Sequence, residues 1–166
     1  MMTVKMCVPP PSASSPLGAA SLRRQHCFRD VATVLIVESQ PEVRELISLT
    51  LETGPYNILL AENAEQALTL ARAQRPDLVL MDVVLSGEVD GLELCRQLKS
   101  DPRTKNAYIL FLTAKSQAAD RERGYAVGAD DYILKPFSPL RLQQLVRDIL
   151  DGPPPTTNRE HKPAVV

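Results

Sequence analysis

The run Asp77-Leu78-Val79-Leu80-Met81-Asp82 constrains this chain more than any other stretch. Four consecutive apolar side chains in a short run bury both faces of a strand, as happens in a parallel sheet covered by helices on either side. Asp82 closes the run. In open α/β sheets the carboxyl ends of strands are where ligands bind, because loops and helix N-termini converge there over a rigid floor. A carboxylate at that end is either a cap for the next loop or a working group, and position alone leaves both readings open.

The remaining chain repeats the pattern. Val31 to Val37 is a second apolar, β-branched run and ends in Glu38, followed by Ser39-Gln40-Pro41-Glu42, which has the spacing of a capping box with proline in the first turn. The helix so started puts Val43, Leu46, Ile47, Thr50 and Leu51 on its inner face and stops at Gly54-Pro55. Tyr56 to Ala61 is the next strand. Asn63 caps a helix with Ala64, Ala67, Leu68 and Ala71 inward, ending before Pro76. Beyond Asp82, a loop with Gly87 as its flexible point leads to a second box, Asp90-Gly91-Leu92-Glu93, and to a helix with Leu94, Cys95 and Leu98 inward. Tyr108 to Leu112 is a strand finishing in Thr113-Ala114. Ser116 caps a thinly apolar helix that stops at Gly128. Asp131 to Leu134 is the last strand, ending in Lys135-Pro136-Phe137, and Ser138-Pro139 opens a helix with Leu142, Leu145, Val146 and Ile149 inward. Five strands alternating with five helices make a doubly wound α/β domain with a parallel sheet.

Composition narrows the function. Of the 166 residues 44% are apolar and the formal net charge is −1, so a core is available and a general nucleic-acid binder or basic membrane-surface protein is disfavoured. No stretch reaches the roughly 20 apolar residues of a membrane span. Cys7, Cys27 and Cys95 form neither a disulfide framework nor a zinc site, and prolines and serines interrupt what would be a signal peptide, so a cytoplasmic setting is expected. Residues 1–30 read as a disordered Pro/Ser-rich leader, 31–151 as the folded domain and 152–166 as a disordered tail too small to bury a core, which implies a stand-alone domain.

Four strands finish in side chains able to do chemistry: Glu38, Asp82, Thr113 and Lys135. Together they place two acids, a hydroxyl donor and a fixed cation on one rim of the sheet. With Val34-Leu35-Ile36-Val37-Glu38, Leu80-Met81-Asp82, Asp90-Gly91, Leu112-Thr113-Ala114 and Lys135-Pro136-Phe137 in this order and spacing, the chain resembles the receiver domain of bacterial two-component response regulators. The resemblance covers 31 to about 151. It implies a flavodoxin-like, five-stranded parallel sheet in the order 2-1-3-4-5.

It also implies a phosphoacceptor signalling domain rather than an enzyme, with at most intrinsic self-phosphorylation and autodephosphorylation. Asp82 would take a phosphoryl group from a sensor histidine kinase or a histidine phosphotransfer protein. Lys135 and Thr113 would stabilise that group, and Mg²⁺ would be held, weakly, by Glu38, Asp82, the backbone of Val84 and, least securely, Ser39. Thr113 and Tyr132 would form the switch, Tyr132 turning from exposed to buried and remodelling the face made by 116–150 for a downstream protein or a second copy of the chain. The Lys135-Pro136 bond is expected to be cis, and Lys115 lies where the family tunes access of water to the acyl phosphate.

One departure matters. Receivers generally carry two adjacent acids after the first strand, the second ligating the metal, and here that pair is Glu38-Ser39. The alternative is therefore a receiver-like binding module that works without phosphorylation. A phosphatase of the haloacid dehalogenase type is disfavoured because Val84 stands where its general acid belongs, and a flavodoxin because no phosphate loop follows the first strand.

Overall fold

Each aliphatic run pairs with its neighbours in parallel. The computed structural model describes residues 31–114 and 118–152; the expectations for the leader, for Lys115 and Ser116, and for the tail beyond Gly152 lie outside the described residues. The elements are β1 (Ala32–Val37), α1 (Pro41–Leu51), β2 (Tyr56–Ala61), α2 (Ala64–Gln74), β3 (Leu78–Met81), α3 (Gly91–Ser100), β4 (Tyr108–Thr113), α4 (Ala118–Ala126), β5 (Asp131–Leu134) and α5 (Pro139–Asp151). The sheet order is β2-β1-β3-β4-β5, as the resemblance implied.

Alternation along the strands sends side chains into two cores. Val34, Ile36, Leu78, Leu80, Leu110 and Leu112 meet Ile47 and Leu51 of α1 and Leu142 and Val146 of α5. The intervening Leu35, Val37, Val79, Met81, Ile109 and Phe111 meet Ala67 and Ala71 of α2 and Leu94 and Leu98 of α3. All four residues of β3 are fully buried, which accounts for their unbroken apolar run. The chain leaves β1 toward β2 on one side and later returns to place β3 on the other. A crevice therefore opens at the carboxyl ends of β1 and β3, where the direction of winding reverses.

Helix starts follow the sequence with two corrections. Asn63 Oδ1 accepts from Gln66 N at 2.9 Å, and Asp90 Oδ1 accepts from Glu93 N at 2.9 Å. The second box is only half formed, because the Glu93 carboxylate turns to Arg96 and Gln97 instead of reaching back. The Ser39–Glu42 box does not form: the N-cap of α1 is Gln40, at φ −81° and ψ 116°. Pro41 is the cause, since the residue before proline is pushed into extended backbone and the helix cannot begin until after it. Leu46, expected inside, is 48% exposed, and Ile47, Thr50 and Leu51 carry the inner face of α1.

Two glycines shape the loop after β3 at the rim. Gly87 in this loop has φ +112°, a backbone conformation that glycine adopts without strain. Gly91 brings α3 against that same loop: its N–H donates to Val83 O at 2.9 Å, and a Cβ there would collide with the Asp82 carbonyl oxygen. That contact explains why Asp90 is followed by glycine.

Candidate functional site

The rim of the sheet collects Glu38, Asp82, Thr113 and Lys135 at the ends of β1, β3, β4 and β5. Parallel pairing dictates this, since every strand points the same way and ends on the same side. Asp82 N donates to Val37 O at 3.2 Å, which sets the two acids on either side of the crevice.

Lys135 joins them. Its Nζ donates to Asp82 Oδ2 at 2.7 Å and to Glu38 Oε2 at 2.5 Å. The other oxygen of each acid is held by the backbone N–H two residues further on: Glu38 Oε1 by Gln40 at 3.0 Å and Asp82 Oδ1 by Val84 at 3.1 Å. Glu38 is only 2% exposed, so its charge depends on these bonds. Burial lowers the affinity of the Lys135 amine for its proton, but hydrogen bonds and charge from Asp82 and Glu38 outweigh it and hold the pKa above the ordinary lysine value. Two carboxylates share one ammonium in this cluster.

Thr113 is 1% exposed and lies two residues beyond Phe111, the register partner of Met81. Its carbonyl accepts from Lys135 N at 2.9 Å, which fixes the backbone from which the lysine extends. The Lys135–Pro136 bond is cis. Ser39 is half-buried beside Glu38. Carboxylate, carbonyl and hydroxyl oxygens are the donors a hard divalent ion takes, so Glu38, Asp82, Val84 and Ser39 fit Mg²⁺ in kind. They carry one carboxylate fewer than a receiver with two adjacent acids. Among the described residues no group of three His, Cys, Asp or Glu side chains converges as a metal site.

Tyr132, the expected switch residue, is half-buried, with its hydroxyl oxygen turned into the protein. Its ring stacks on Phe111 at 5.2 Å and 29°, and meets Tyr125 edge-on at 5.1 Å and 66°. Sequence reasoning passed over two residues. Arg44 of α1 donates to Glu38 O at 2.6 Å and approaches Glu62 at 3.9 Å, clamping the end of β1. Its place one turn after Pro41 was the available signal. Gly124 is the other, a glycine inside a helix where propensity alone would not put one.

A doubly wound sheet with two acids and a lysine at its switch point defines a receiver. The chain belongs to the response regulator receiver domain family, whose profile matches residues 34–147. It is 43% identical over 118 residues to the phosphate regulon transcriptional regulatory protein PhoB of Pseudomonas aeruginosa, covering 71% of this chain and 51% of that protein. It is 42% identical to the transcriptional regulatory protein YvrH of Bacillus subtilis, covering 70% of this chain and 48% of the other. The chain thus spans about half the length of these curated relatives. Among solved structures it resembles a putative response regulator from Chloroflexus aurantiacus, with 36% identity, TM-score 0.68 and coverage of 73% of this chain and 98% of that one. The receiver domain of the sensor histidine kinase PA1611 of Pseudomonas aeruginosa, with a magnesium ion coordinated in its active site cleft, is similar at 31% identity and TM-score 0.65 (70% and 95% covered). Among the described residues no helix is long and apolar enough to cross a membrane.

Proposed function

We propose that Asp82 accepts a phosphoryl group from a histidine kinase or a histidine phosphotransfer protein, and that this changes the affinity of the 116–150 face for another protein. The observation that carries the reading is the Lys135 ammonium held between Asp82 and Glu38. A carboxylate oxygen of Asp82 attacks phosphorus, the bond from phosphorus to the partner's imidazole nitrogen breaks, and the nitrogen keeps the electron pair. The acyl phosphate that forms is multiply negative, so positioning and charge neutralisation matter more than covalent work by the protein. Lys135 follows the charge from Asp82 Oδ2 to a phosphoryl oxygen, remaining tied to Glu38. Thr113, at the end of the adjoining strand, donates its hydroxyl to another oxygen, and Ala114 leaves room for the group. Glu38, Asp82, the Val84 carbonyl and the Ser39 hydroxyl would hold Mg²⁺, which when bound supplies further positive charge for the phosphoryl oxygens.

The output is a protein contact. The transcriptional regulators it resembles carry about as much chain again outside the matched region, so transcription is one process such a receiver serves. A second reading, a binding module that works without phosphorylation, is favoured by Ser39 alone. Incubating the purified chain with Mg²⁺ and acetyl phosphate, and mapping the mass gain by peptide, separates the two. One phosphoryl group on Asp82, lost in Asp82→Asn, is the expected result; no gain at any Mg²⁺ concentration selects the second reading.

A further inference from the structure

Gly124 stands in the interior of α4, among Arg121, Glu122, Arg123 and Tyr125, where a glycine weakens the helix relative to alanine and no turn requires it. The reason lies across the interface with β5. A Cβ built on Gly124 would overlap the hydroxyl oxygen and Cζ of Tyr132 and sit 3.3 Å from its Cε2. The tyrosine therefore occupies the volume that any side chain at 124 would fill. Phe111 backs the ring, Tyr125 closes its edge, and the hydroxyl is buried at the bottom of this slot.

We propose that Gly124 is the positioning residue of the switch: its missing side chain is the slot that receives Tyr132, and the size of residue 124 sets how far the inward rotamer is populated. The proposal deepens the switch reading of Tyr132 and rests on it. With the slot open, Tyr132 has room to lie inside, the arrangement that phosphorylation of Asp82 would favour in reshaping the α4–β5 face. With the slot filled by a single methyl group, the ring has to swing out. Neither Phe111, a fully buried residue of β4, nor the helix backbone can yield enough to keep both.

The full chain has four tyrosines, so fluorotyrosine labelling yields four ¹⁹F resonances, assignable by single Tyr→Phe variants. Without any phosphodonor, Gly124→Ala is expected to move the Tyr132 resonance and raise its H₂O/D₂O isotope shift to that of an exposed ring. A Tyr132 signal unchanged by Gly124→Ala overturns the proposal. Thermal unfolding gives a second readout. Gly124→Ala should lower the melting midpoint when Tyr132 is present and raise it in Tyr132→Ala, where only the helix preference for alanine remains. A rise in both backgrounds also overturns the proposal. Beryllofluoride, a phosphoryl mimic, then tests the underlying reading separately: it should drive any outward Tyr132 population inward in the parent and fail to do so in Gly124→Ala. A slot effect without any response of Tyr132 or the α4–β5 face to the mimic would sink the switch role while leaving the packing intact.

Discussion

Lys135 Nζ lies 2.7 Å from Asp82 Oδ2, although the two residues are 53 positions apart in the chain. The same ammonium serves Glu38, so one cation is shared between two largely buried acids. Its removal should be felt in both stability and chemistry.

Lys135→Met leaves the Glu38 carboxylate, 2% exposed, without its ammonium partner. Breaking a buried pair from one side costs roughly 3 kcal/mol, with Gln40 N–H still serving the acid. Urea unfolding near neutral pH measures this. Because the folded-state pKa of Lys135 is raised above 10.5, its stabilisation is complete below that value and drains away as pH rises through the folded one. The difference between parent and variant should therefore stay flat from about pH 7 to 9 and shrink only at strongly alkaline pH. A gap that already closed between about pH 7 and 9 would contradict this arrangement.

Ser39→Asp restores the missing charge beside Glu38. It should tighten Mg²⁺ binding by about tenfold, or ~1.4 kcal/mol, since ligand charge is what tunes affinity for hard cations. Without metal the added acid repels Glu38 and Asp82 and should lower stability by about 1 kcal/mol at low salt. Calorimetric titration and unfolding with and without Mg²⁺ read the two effects; equal affinity in both proteins would mean that position 39 is not a ligand.

Gly91→Ala pushes a methyl group into the Asp82 carbonyl and to 2.9 Å from Val83 Cα, both backbone atoms with nowhere to go. Overpacking of this kind costs about 1–3 kcal/mol, despite the better helix propensity of alanine. It should also slow acetyl-phosphate labelling of Asp82, because the displaced backbone carries the acceptor. Labelling at the parent rate would show that the loop absorbs the strain.

Cys95 is fully buried, and burial pushes its thiol up to about 12, with Lys99 pulling down and Asp130 pushing up by smaller amounts. Near pH 8 it is a neutral, packed side chain whose Sγ faces Val127 O at 3.7 Å. Iodoacetamide should leave the Cys95 peptide unmodified in the native protein and label it in denaturant. Rapid native labelling would mean that α3 and the end of α4 separate readily.

Much of this was written locally. Unbroken apolar runs specify doubly buried strands, and Asn63, Asp90 and the Ser138-Pro139 step mark helix starts, because burial period and capping are decided within a few residues. The N-cap of α1 is Gln40 rather than Ser39, and the cause is just as local: Pro41 keeps Gln40 out of the helical region. Leu46 is exposed for another reason: a 3.6-residue period tolerates one residue more on a face than the neighbouring element covers.

By itself the sequence determined that acids, a hydroxyl and a lysine would end parallel strands on one rim, and hence what class of chemistry they could share. Only the tertiary structure decided that Lys135 bridges both carboxylates, that backbone N–H groups take the remaining oxygens, and that Gly124 yields its volume to Tyr132. These are distances between elements far apart in the chain. They follow from strand register and from how helices seat on the sheet, which no short window of residues encodes.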